Sequence, residues 1–184
     1  MKNISDYIIY FAKYPPVETV KKLFVTTTAS GSAVLKNQLA DTINIIDNIA
    51  PNHLVPELAG FYFSDKEEDI ATVVKNIESP FLLPIYYESE TNALSEDNIR
   101  SNNLCAFLVL HHYSPRNKVA GEKLMIDALT ESIRKKIITQ MVLDKKSCPC
   151  LMDLDFSNIT KSYVHLYGCI GWLTTFEYNP TGLH

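Results

Sequence analysis

Glycine is scarce in this chain, with six in 184 residues. None of the six falls in a Gly-x-Gly-x-x-Gly or Walker-type phosphate loop, and Gly31 with its flanking serines lacks the rest of such a pattern. A backbone cradle for a nucleotide therefore has little material. Gly-x-Ser-x-Gly and His-Glu-x-x-His are missing as well, which lowers the case for a familiar hydrolase or zinc protease. Cysteine is limited to Cys105, Cys148, Cys150 and Cys169, too few and too irregularly spaced for a small disulfide scaffold. No run approaches the ~18 apolar residues that span a bilayer. The opening residues, MKNISDYIIYFAKYPP, have neither a charged n-region nor a long apolar h-region, so no signal peptide is expected. A reducing, aqueous compartment fits these absences, and so does a particle assembled there and later released.

Excess positive charge is also missing. The net charge is −4 and the pI about 5.7, whereas a general phosphate-backbone binder would be basic. The charge is uneven, though. Between Tyr113 and Lys146, eight basic residues face four acids, a surplus of four; the remainder of the chain must then carry −8. Such a division suits head-to-tail contact between copies, and it equally suits a solvated helix face.

What is present is ordinary globular material. Hydrophobic residues make up 46% and charged residues 21%, enough to exclude disorder along the whole length. The length fits one domain, 1–184, with a helical N-terminal part over 1–78 and a sheet-plus-helix core over 79–184. Ile4, Tyr7, Ile8 and Phe11 recur at helical spacing until Pro15-Pro16. Leu23–Thr28 reads as a short strand and Ser30–Ser32 as a turn. Leu35, Leu39, Ile43, Ile46 and Ile49 mark a helix ended by Pro51. Residues 52–63 fit no single pattern. Asp65 is placed to cap a helix bearing Ile70, Val73, Val74 and Ile77.

The second part reads as strands around one helix. Phe81–Tyr87 is a strand, and Pro84 favours an edge or a bulge. Glu88–Asn103 is polar and reads as a long exposed loop. Cys105–His112 is continuously apolar, which predicts burial on both faces. Met125, Leu129, Ile133, Ile137 and Met141 follow at intervals of four in a helix over 119–143. Leu151–Phe156 alternates. Tyr163–Tyr178 alternates too, as one long strand bent at Gly168 or Gly171. The expected fold is α+β, a mostly antiparallel four-stranded sheet packed by the long helix.

Candidate chemistry is thin. Cys148-Pro149-Cys150 lacks the two-residue spacing that lets both sulfurs reach one zinc ion, and Cys169 with His165 would have to complete the set; two ordinary thiols at a turn is the simpler reading. His111 and His112 point to opposite faces of a strand. Asp153 and Asp155 share a face and could hold a cation, with Asn158 or Ser157 a weak third ligand, but a solvent-facing acidic stripe explains them as well. No catalytic, cofactor or metal residue is assigned. An enzyme or ligand-binding domain would have to gather His111, His165, Asp153 and Asp155 into one cleft.

From Pro80 to Tyr178 the order of elements is PFLLPIYY, a polar segment, CAFLVLHHYS, GEKLMIDALTESIRKKIITQMVL, LMDLDF and YGCIGWLTTFEY. This pattern resembles the small α+β subunits that build the neck and tail-terminator rings of tailed bacteriophages and related contractile particles. It covers about half of the chain and contains no invariant motif; the helical N-terminal part is an elaboration on the minimal ring subunit. The resemblance implies a structural virion protein at the head–tail interface or tail terminus, without catalytic residues or cofactors. It would be assembled in a bacterial host cytoplasm and would not sit in a membrane. Its partners would be identical subunits in a closed ring and the neighbouring ring or tail proteins, with nucleic acid at most passing through the lumen. The contact candidates under that reading are Glu88, Glu90, Glu96 and Asp97 in the polar segment, and Arg116, Lys118, Arg134, Lys135 and Lys136 as their basic counterparts.

Overall fold

The computed structural model describes residues 4–25, 33–48, 53–63, 70–71, 74–86, 90–93, 99–114, 120–147 and 154–178. The elements are α1 (Ile4–Ala12), α2 (Val17–Val25), α3 (Ala33–Asp47), β1 (Gly60–Phe61), β2 (Phe81–Tyr86), β3 (Glu90–Ala93), β4 (Ile99–His112), α4 (Ala120–Ser147), β5 (Leu154–Leu166) and β6 (Cys169–Tyr178). The class is α+β, as expected: a mixed sheet with the long helix α4 against it. The strand order is β1-β2-β4-β6-β5, with β3 pairing β4 off that path. Only the β1–β2 pairing is parallel among the described pairs.

Among the described residues, six strands form where periodicity predicts four: β1 and β3 are not revealed by it, and the strand expected over Leu151–Phe156 continues from Leu154 to Leu166 as β5. β1 is two residues long, and its register sets Gly60 beside Phe81 and Phe61 beside Leu82. It has no room for a Cβ at Gly60, where an added carbon would lie 2.3 Å from the Glu78 carbonyl oxygen. β3 falls inside the segment expected to be a loop; Glu90–Ala93 pairs with Ile99–Asn102 as a ribbon. A polar ribbon has no alternating apolar face to announce it, so its strand character comes from the continuation of β4.

Pro84 sits where its missing donor costs nothing. Tyr62 donates its backbone N–H to the Leu82 carbonyl at 3.1 Å, so Leu82 turns its backbone toward β1. By alternation Pro84 turns the same way, at a point where the two-residue β1 has already ended.

The Tyr163–Tyr178 segment is not one strand. Tyr167 and Gly168 both take positive φ, 49° and 80°, and close a two-residue hairpin in which Leu166 pairs with Cys169. That turn type matches the natural twist of two antiparallel strands. It also reverses parity: an even position of β5 faces an odd position of β6. Val164 and Leu166 consequently pack with Leu173 and Cys169 on one face of the sheet, while Phe176 belongs to the other.

Two apolar clusters flank the sheet. The larger joins Tyr7, Phe11 and Tyr14, from α1 and the turn after it, Ile46 of α3, and Ile133, Ile137 and Met141 of α4 to Leu82, Cys105, Phe107, Val109 and Phe176 of the sheet. Its centre is an aromatic trio, with the Phe107 ring 5.6 Å from Phe11 and 6.3 Å from Phe176. The smaller lies on the opposite face, where Ile70 and Val74 cover Phe81, Leu83, Leu108, Leu110 and Cys169. Cys105 through Leu110 are therefore buried without a break, as the continuous apolar run predicts. The run expected as a strand at Leu23–Thr28 is helical through Val25; Val17, Val20 and Leu23 pack on the core at helical spacing and override the local β preference. Residues 26–32 lie outside the described residues.

Candidate functional site

The long helix carries three of the contact candidates singled out by sequence, Arg134, Lys135 and Lys136, and the structure divides them. Residues 126, 130, 133, 137 and 141 are buried, so the inward stripe begins at Ile126 rather than Met125. One residue turns a helix by about 100°, and that rotation puts Met125 outside. Leu124 is 70% and Met125 71% exposed. Ala128, Lys135, Thr139 and Leu143 are also exposed, and at helical spacing they continue this outward face. α4 is thus apolar on its inner face and partly apolar on its outer one.

Arg134 does not reach out as the basic cluster suggested. It is buried, and its guanidinium grips Glu131 through Nε at 2.7 Å and Nη2 at 3.2 Å. The i,i+3 spacing lets the guanidinium fork meet the carboxylate within one helix turn. Glu131 also accepts from Lys161 at 2.8 Å and lies 3.7 Å from Lys135. The Arg134 bond, aided by Lys161, brings the Glu131 carboxyl down to about 2. Lys135 and Lys136 remain exposed, Lys136 paired with Glu57 and Lys135 beside Glu131. Glu90 stands opposite Asn102 on the ribbon. Glu88, Glu96, Asp97, Arg116 and Lys118 lie outside the described residues.

Beside this network the β5–β6 hairpin presents an aromatic pair. Tyr163 and Trp172 meet edge to face at 5.2 Å. Lys161 lies over the Trp172 ring at 3.9 Å and Lys123 over Tyr163 at 5.2 Å. Burial, followed by the nearby Asp127 carboxylate, pushes the Tyr163 phenol up to about 12.

A polar cluster that sequence reasoning missed joins α1 to the far end of α4. Asp144 accepts from Tyr10 at 2.7 Å, from Gln140 at 2.8 Å and from Lys13. Tyr14 donates to the Tyr10 hydroxyl at 3.0 Å, and Lys13 lies 3.8 Å above the Tyr10 ring. Burial acts against both charges. It depresses Lys13 despite its carboxylate partner; at Asp144 burial would raise the carboxyl, but the three donors outweigh it and hold it low. One signal was legible: an aspartate near the negative end of a long helix is misplaced unless something compensates it. The cluster clamps two helices and leaves no free nucleophile.

Among the described residues, His112 and Cys169 join in a packing contact. His112 Nε2 lies 2.7 Å from the Ile77 carbonyl, which can only accept, so Nε2 carries the proton. Nδ1 is then the acceptor for the Cys169 thiol at 3.3 Å. Cys169 is fully buried, and burial raises its thiol to about 11, so it stays protonated and ties the strand end to the segment above it. His111 and His165 flank Ile170 on one face of the sheet. Asp155 pairs with Glu177 at the other end of β5, roughly 24 Å away along the uninterrupted β6 at the rise of an extended strand. Asp153, Cys148 and Cys150 lie outside the described residues. Among the described residues, no group of three or more His, Cys, Asp or Glu side chains is placed to hold a metal ion, and no helix is long and apolar enough to cross a membrane. In the comparisons with known proteins, no family model matches the sequence and no curated protein matches it.

Proposed function

We propose that the chain is a non-catalytic structural subunit of a closed ring, of the kind found at the head–tail interface or tail terminus of a phage-like particle. The observation that carries this reading is the outer face of α4. Two adjacent large apolar side chains, Leu124 and Met125, stand more than two-thirds exposed at one end of a helix whose other face already fills the core. Large apolar groups clustered on a surface favour contact with another chain. Lys135 and Lys136 border that face, and the acidic segment Glu88–Asp97 supplies an opposite charge elsewhere on the same chain. A patch on one side matched to a different patch on the other makes a heterologous contact, and heterologous contacts form a ring when the rotation between copies closes. The partners are copies of this chain and the neighbouring rings of the particle, and nucleic acid passes at most through the lumen.

The enzyme alternative needs His111, His165, Asp153 and Asp155 together, and Asp155 lies at the opposite end of the sheet from the two histidines. Light scattering of the purified chain, with electron microscopy of the same fractions, tests the proposal. Closed rings of uniform size are expected. A single-chain mass at every concentration would refute it.

A further inference from the structure

We propose that the contact between copies is made by strand addition: the β3–β4 ribbon of one copy pairs along the open edge of β5 in the next. This rests on the ring reading and names the surfaces that would join.

β5 ends the strand order and pairs only with β6 among the described residues. Its register is interrupted between Asp155 and Thr160, then runs without a break from Thr160 to Leu166. The two-residue hairpin makes Leu166 and Cys169 a mutually hydrogen-bonded pair. By alternation Lys161, Tyr163 and His165 direct their N–H and C=O groups away from β6, toward the open edge. All three residues are exposed. A bare edge of this length is a template for another strand. A lysine on an edge usually blunts it, but Lys161 is drawn back over Trp172 and onto Glu131. Among the described residues the opposite end of the sheet offers no such template, because β1 is two residues long.

The occupant follows from charge and from the ribbon's position. β6 reaches along β4 only as far as Asn103, so residues 99–102 of β4 have β3 as their only strand partner among the described residues. The ribbon therefore stands beyond the sheet with backbone to offer. Its described strands carry Glu90 and Arg100, and by sequence the residues that flank and connect them add Glu88, Glu96 and Asp97, so the segment as a whole is acidic. The β5 edge is positive: Lys123, Arg134, Lys135 and Lys161 adjoin Asp127 and Glu131, four cations against two acids. Two β5 edges meeting antiparallel about Tyr163 would instead set Lys161 against His165 and bring two positive surfaces together, which is unfavourable.

Two variants test this. His165→Pro removes an outward N–H while leaving the β6 pairing intact. In the second, residues 90–101 are replaced by Asn-Gly, which removes the ribbon. Each variant alone should run at single-chain mass where the wild type forms rings. An equimolar mixture should give a one-to-one pair, because one partner keeps the ribbon and the other keeps the edge. In wild-type rings the amides of Lys161, Tyr163 and His165 should exchange at least tenfold more slowly than in the ribbon-less chain, a readout that survives if the proline variant fails to fold. Wild-type rings with persistent assembly of both variants, or unchanged exchange at those amides, would overturn strand addition and leave the ring reading standing. A two-chain wild-type particle joined edge to edge would also overturn it. A wild-type chain that never assembles would overturn both.

Discussion

The two ends of α4 obey different rules. Toward its C-terminus, Ile137, Met141 and Asp144 are fixed against α1 and the sheet by apolar contact and a desolvated ion pair. Toward its N-terminus, the first turns run past the core with Leu124 and Met125 in solvent. One helix is thus a structural beam at one end and a presented surface at the other. The contrast separates residues that hold the chain together from residues available to hold chains to each other. It can be broken or sharpened by substitutions graded along the helix.

The largest effect is expected at the beam. Ile137→Ala should cost about 3 kcal/mol of unfolding free energy by chemical denaturation, from lost burial plus the cavity left in the larger apolar cluster. Asp144→Ala should come next, at about 2 kcal/mol, between the values for fully buried and exposed pairs, because it strands the Lys13 ammonium and the Tyr10 hydroxyl. Replacing both partners together, Lys13→Met with Asp144→Leu, should recover most of that loss in the same measurement.

The middle of the helix is expected to show in the pH profile. Glu131 is held at about 2, against a usual value of 4.5. A carboxylate depressed in the folded state adds stability that is complete above its unfolded value and drains away as pH falls toward the folded one. Melting temperature should therefore fall between about pH 4.5 and 2, with Asp144, also depressed, contributing in the same sense. Glu131→Gln should flatten that limb and cost about 1 kcal/mol at neutral pH, given the screening at this partly exposed network. An unchanged acid limb would mean that the three cations around Glu131 are not felt in solution.

At the presented end, stability should barely move. Leu124→Glu with Met125→Glu should change unfolding free energy by no more than about 0.5 kcal/mol, as for other exposed positions. The same pair should shift the chain from assemblies to single-chain mass in light scattering. If the pair instead destabilises the monomer strongly, the outer face of α4 is part of the core and the contrast between the two ends is lost.

Some of this was written plainly in the chain. The apolar spacing of Tyr7, Ile8 and Phe11 marks α1, the run from Cys105 to Leu110 marks a strand buried on both faces, and the four-residue interval from Ile133 to Met141 marks α4. Pro84 marks an edge. Each works because a periodic apolar face is a local property that a folded neighbour only has to accept. The hairpin at Tyr167-Gly168 was hidden because alternation continues on either side of a two-residue turn; only the strand pairing shows that the parity has reversed. The Asp144 cluster was hidden for a different reason. Tyr10 and Lys13 stand 134 and 131 residues from Asp144 along the chain, and no local pattern connects them.

The sequence by itself determined the class of fold, the inner face of the long helix from Ile133 to Met141 and the uneven charge, because these depend on residue type and on spacing within single elements. The tertiary structure alone decided that Arg134 turns inward to Glu131, that Met125 stands in solvent, that β5 ends the sheet and that Lys13 loses its water to Asp144. Those outcomes depend on which element lies beside which, and distance in space, unlike distance along the chain, sets the strength of every contact and charge.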